Sequence, residues 1–130
     1  MYWKALGSNL GGVSVMKEVF YMDKLKRYRL LCHFIADEYK FIEQLKSWEV
    51  FADTTEYQRQ SYKRIEEWEQ ERQQIADYIK NIPNERYRVM YYLFYIKGYT
   101  KRAIAEQLGI DERYLHRLWR KSEKELTPYE

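Results

Sequence analysis

From Leu25 to Leu45, apolar side chains recur at alternating steps of three and four: Leu25, Tyr28, Leu31, Ile35, Tyr39, Ile42 and Leu45. That spacing keeps one face of an α-helix apolar. It predicts a helix from about Met22 to Trp48, with Asp23 near its start, where the helix dipole favours an acid. A second stripe runs through Tyr57, Ser61, Ile65, Trp68, Arg72, Ile75, Ile79 and Ile82. It predicts a helix ending near Asn81, after a turn and cap supplied by Asp53, Thr54 and Thr55. Arg72 interrupts this stripe, and its stem is expected to pack while its charge reaches the edge. Glu66, Glu67, Glu69, Glu71, Arg59, Lys63 and Arg64 fall between the apolar positions and read as a solvated face. A short connection between two long helices favours an antiparallel hairpin. Its stripe could be covered within the hairpin, by the C-terminal part of the chain, or by a second copy.

Ile82-Pro83-Asn84 breaks the pattern, because proline cannot continue a helical ladder. A third helix is predicted from about Asn84 to Lys97, apolar nearly all round and therefore central to a C-terminal lobe. Residues 100–121 then read as two short helices and a tight turn. Thr100 is placed to cap the first. Gly109 stands where a helix end favours a left-handed backbone. Asp111 is placed to cap the second. Ala105, Gly109, Leu115 and Leu118 have the spacing of a helix-turn-helix: a small residue at the helix contact, a turn glycine, and two apolar docking residues.

At about 100° per residue, Arg113, Arg117, Arg120, Lys121 and Lys124 share one side of the last helix. Leu115, Leu118, Trp119 and Leu126 share the other. Such a helix can pack on a lobe while presenting cations to the major groove of double-stranded DNA. The candidate DNA-binding residues are Lys101, Arg102, Glu112, Arg113, Tyr114, His116, Arg117, Arg120, Lys121 and Lys124. Arg113 and Arg117, with His116 beside them, are the candidates for base contacts. Arg120, Lys121 and Lys124 are the candidates for phosphates. Charge distribution points the same way: acids and bases balance over residues 1–82, and the whole +3 excess lies in residues 83–130.

The sequence resembles a known family in this region. Leu93-Phe94-Tyr95-Ile96-Lys97-Gly98-Tyr99-Thr100, followed by Ile104-Ala105-Glu106-Gln107-Leu108-Gly109-Ile110, is similar to the promoter-binding helix-turn-helix of bacterial sigma factors, their region 4. There an L-R-Y-x-x-G-x-[ST] helix end precedes an E-I-A-x-x-L-G-[IV]-S turn. Phe94 replaces the usual arginine, Ala103 the usual glutamate and Asp111 the usual serine. Arg120 lies where the family often carries a basic residue. Nothing upstream resembles the promoter-melting helix of a full sigma factor. The layout, a helical N-terminal part and a sigma-like C-terminal motif, resembles the phage late-gene regulators of the ArpU and RinA type. That resemblance implies a DNA-binding activator of phage or prophage late genes.

The expected architecture is all-α: residues 22–82 as a helical hairpin with possible self-association, and residues 83–130 as a three-helix, helix-turn-helix lobe. Residues 1–21 are expected to be a disordered tail or a start-site extension. Gly7, Gly11 and Gly12 make a poor helix, and Lys17-Glu18-Val19 can be encoded by a ribosome-binding sequence ahead of a start at Met22. Cys32 is the only cysteine, which excludes an intrachain disulfide and fits a reducing cytoplasm. No apolar run approaches the roughly 20 residues of a membrane span, and no secretory signal is expected at the N-terminus. His33 and His116 lie far apart without metal-ligand spacing. No nucleotide loop, nucleophile elbow or triad signature is present. No cofactor, metal or catalytic site is therefore expected. Expected partners are double-stranded DNA, with RNA polymerase and a second copy of the chain as further ones. Two other readings stay open: a DNA-packaging, small terminase-like protein, and a sigma-like module that binds RNA polymerase.

Overall fold

After Gly12 the chain meets no glycine or proline until Pro83. The helices that result are correspondingly long. The computed structural model describes residues 14–126, and the surroundings of side chains from Lys24 onward. Its elements are α1 (Ser14–Trp48), α2 (Thr55–Lys80), α3 (Glu85–Tyr91), a π-helical turn (Tyr92–Ile96), α4 (Lys101–Leu108) and α5 (Glu112–Glu125). The described chain is all-helical. α1 begins at Ser14 rather than near Met22, because no helix breaker stands between Gly12 and the predicted start. Residues 14–21, expected as tail, are therefore helical in backbone. The expectation for residues 1–13 lies outside the described residues.

α1 and α2 run antiparallel. Arg27 pairs with Glu71 through two bonds of 2.6 and 2.9 Å. Further along, Glu38 pairs with Arg64 at 2.6 Å, and Thr54 Oγ1 donates to the Leu45 carbonyl at 3.0 Å. The residue numbers rise on one helix as they fall on the other. Glu49 organises the connection, since its carboxylate accepts from the Thr54 N–H at 3.2 Å and the Gln58 amide at 2.9 Å. Thr54 holds the N-cap position of α2 without a side-chain cap bond. Its hydroxyl turns back to α1, and Asp53 accepts from the Thr55 N–H instead, at 3.0 Å.

The apolar stripes close within the chain. Leu25, Leu31, Ile75, Ile79 and Ile82 form one cluster with Tyr87, Met90, Tyr91, Tyr95, Ile104, Ala105, Leu115, Leu118 and Trp119. The helix break at Pro83 is thus not a break in the core. Ile35, Ile42 and Ile65 form a smaller cluster, covered by Trp68. Two stripe positions depart from expectation: Tyr39 is 46% exposed and Tyr57 62%. Both sit beside the narrow second cluster or the connection, where no third element among the described residues covers them. Arg72 is half-buried, and its guanidinium lies 3.7 Å from Cys32 Sγ.

The predicted third helix is an α-helix for its first half only. The π-helical turn widens the spiral, with the Lys97 N–H bonding the Tyr92 carbonyl at 3.1 Å. The wider turn resets the register, and Tyr91, Phe94 and Tyr95 all face Trp119, with ring centroids 5.1, 5.0 and 6.3 Å away. Tyr92 is the exposed side of this segment. Gly98 follows with φ +76°. The Arg29 guanidinium of α1 crosses directly over it and donates to the Lys97 carbonyl at 3.0 Å. A Cβ at Gly98 would meet Arg29 Nη1, the far end of a flexible side chain, so a larger residue there would push the guanidinium off the Lys97 carbonyl.

Candidate nucleic-acid interface

Short-range chemistry sets the two helices that carry the candidate residues. The Thr100 hydroxyl accepts from the Ala103 N–H at 3.1 Å and caps α4. Gly109 closes α4 in the left-handed region, φ +68°. The next N–H, of Ile110, reaches back to the Ala105 carbonyl at 3.0 Å, which satisfies an orphan of the helix end. The Asp111 carboxylate accepts from the Arg113 N–H at 2.7 Å and starts α5. Ala105, almost fully buried, lets α4 and α5 approach closely.

The inner face of α5 is fixed strongly. Leu115 and Ser122 are fully buried, and Leu118 and Trp119 nearly so. The Ser122 hydroxyl donates to the Trp119 carbonyl at 2.6 Å. It therefore accepts from the Tyr91 hydroxyl, 2.9 Å away. Burial pushes Tyr91 up to about 12, so it keeps the proton that this bond uses. At the end of the helix Tyr87 donates to Glu125 at 2.7 Å, and that carboxylate holds the Tyr87 hydroxyl above its ordinary range. α5 is thus held along its length by α3 and the aromatic cluster.

The outer face is cationic. Arg113, Arg117, Arg120, Lys121 and Lys124 are all exposed and lie on one ridge. The 14 residues of α5 span about 21 Å. Lys121 is 3.8 Å from Glu125, an exposed pair that leaves its charge accessible. Arg113, Arg120 and Lys124 have no ion pair among the described residues. Glu112 and His116 flank the ridge on one side, 3.7 Å apart. Tyr114 flanks it on the other, with the Arg117 guanidinium 5.8 Å from its ring centroid.

Not every candidate residue joins this ridge. Lys101 is half-buried, and its ammonium sits 4.8 Å from the centre of the Trp119 ring and 5.8 Å from that of Phe94. It lies against the aromatic cluster rather than beside the α5 cations. Arg102 is exposed on α4 and pairs with Glu106 at 3.6 Å. One residue outside the candidate set does reach the site. Arg86 of α3 donates to the Tyr114 hydroxyl at 3.1 Å. It lines, with Lys121, an open groove of about 640 Å³ between α3 and α5. Arg86 and Tyr114 are 28 positions apart, so no local spacing could have revealed the contact.

Among the described residues no three histidine, cysteine, aspartate or glutamate side chains gather as a metal site, and no helix is long and apolar enough to cross a membrane. What remains is a rigid helix with an apolar back and a solvent-facing row of cations. Compared with protein-family models, curated proteins and solved structures, the chain matches none.

Proposed function

We propose that the protein is a sequence-specific DNA-binding transcription regulator, built as a helical hairpin (α1, α2) followed by a three-helix lobe (α3 to α5) of the helix-turn-helix kind. One observation carries the reading. On α5, the buried Leu115, Leu118 and Trp119 stand opposite the exposed Arg113, Arg117, Arg120 and Lys124. A helix anchored this firmly holds the backbone positions that carry its cations at fixed spacing, as groove reading demands. The resemblance of residues 93–110 to sigma factor region 4, and of the layout to the ArpU and RinA type, supports activation of phage or prophage late genes as the setting. Selection from duplex DNA with a randomised core tests the reading. The protein should enrich one sequence class. It should bind with an affinity that falls steeply with salt, as phosphate neutralisation requires. Enrichment of no sequence would remove the specific reading.

A further inference from the structure

We infer that Tyr114 is a positioning residue for Arg117, held from behind by Arg86, so that α3 takes part in sequence recognition without touching a base. The inference rests on the DNA-binding reading above. Arg117 is exposed and long, and a bidentate contact to a base edge tolerates little error in direction. Its guanidinium lies over the Tyr114 ring, one turn back on the same helix face, 5.8 Å from the centroid. That is within the range where a ring face attracts a cation.

The ring has a second partner. Tyr114 is 37% exposed, with its hydroxyl bonded to Arg86 at 3.1 Å. Arg86 belongs to α3, whose Tyr87, Met90 and Tyr91 are buried. The chain of contacts therefore runs from α3, through the exposed Arg86 and Tyr114, to the guanidinium of Arg117. The two arginines use different parts of the tyrosine, one the oxygen lone pair and one the π face. Arg113, Arg120 and Lys124 have no comparable aromatic brace among the described residues.

The test uses the full chain and the duplex enriched from the randomised pool. A reference duplex differs from it at the single base pair whose preference disappears in Arg117→Ala. Discrimination between the two is then measured for each variant. Tyr114→Ala should lower it by roughly two- to fivefold, the size of an exposed cation–π contact, and leave preferences at other positions unchanged. Tyr114→Phe, which keeps the ring, should retain most of it. Arg86→Ala should shift it in the same direction but by less. On the enriched duplex Tyr114→Ala should also weaken affinity, and in an Arg117→Ala background it should weaken that affinity no further. Tyr114→Leu guards against a helix effect and should behave like the alanine variant.

Unchanged discrimination in Tyr114→Ala would overturn the inference alone. So would an equal effect with and without Arg117, since Tyr114 would then act by itself. A wild-type protein that enriches no sequence would overturn the DNA reading, and the inference with it.

Discussion

Tyr91 and Trp119 stack with centroids 5.1 Å apart and planes 18° from parallel. This contact joins the helix that ends in the π-helical turn to the helix that carries the cationic ridge. Phe94 meets the same indole edge-on at 5.0 Å, and Lys101 covers it at 4.8 Å. Trp119 is therefore the keystone of the C-terminal packing. Trp119→Ala should cost about 3–5 kcal/mol, the usual range for a buried large aromatic. Urea denaturation followed by circular dichroism measures it. A loss below about 1 kcal/mol would contradict the packing described.

Tyr91 also gives a pH dependence with a definite sign. Its folded-state value is raised from 10.0 to about 12 by burial. The unfolded chain then loses this proton first. The contribution is fully present below pH 10 and is lost as pH rises through about 12. Stability should fall over that window more steeply in the wild type than in Tyr91→Phe. Parallel slopes for the two proteins would mean that the hydroxyl is not held neutral by the fold.

Two glycines with positive φ should respond differently to alanine. Gly109 has open space where a methyl group would sit, so Gly109→Ala should cost only the left-handed backbone strain, about 1–2 kcal/mol. Gly98→Ala also displaces the Arg29 guanidinium, a flexible side-chain end, and should cost more only by the exposed Arg29–Lys97 hydrogen bond, about 0.5–1 kcal/mol. Replacing Arg29 with alanine at the same time should bring the Gly98 cost down toward that of Gly109. Additive costs in the double variant would show that Arg29 and Gly98 do not interact.

Leu31 is fully buried and Ile35 nearly so, each covered by its own chain. Of the three ways to cover the α1 stripe, the two intramolecular ones account for these residues. Leu31→Lys should therefore unfold the chain rather than convert a dimer into a folded monomer, because a lone charge in this core has no partner. Circular dichroism and sedimentation velocity on the same sample separate the outcomes. A folded, smaller species would restore the second copy as the cover.

The features legible in the sequence are those written within a few residues. Thr100, Gly109 and Asp111 act on N–H and C=O groups two to four positions away, so their cap roles follow from residue type and spacing. The stripes of α1 and α2 are legible for the same reason, as a repeat along one chain. What escapes such a reading depends on distant partners. The π-helical turn has no breaker of its own, and the three aromatics that converge on Trp119 around it meet a residue more than 20 positions away. Arg29 reaches Lys97 across 68 positions, and Arg86 reaches Tyr114 across 28. Lys101 carries the same charge as its neighbour Arg102, yet aromatic faces hold it while Arg102 stays in solvent. Charge pattern alone does not separate the two.

The most direct measurement compares Arg117→Ala and Lys124→Ala, in correctly folded protein, on the enriched duplex and on unrelated duplex across a salt series. Arg117→Ala should lose about 1–3 kcal/mol of discrimination while keeping the weak binding common to both duplexes. Lys124→Ala should weaken both alike and flatten the salt slope by about one counterion. If Arg113→Ala and Arg117→Ala both left affinity and specificity unchanged, α5 would not be reading the groove. The cationic ridge would then have to serve a protein partner, with RNA polymerase the first to try.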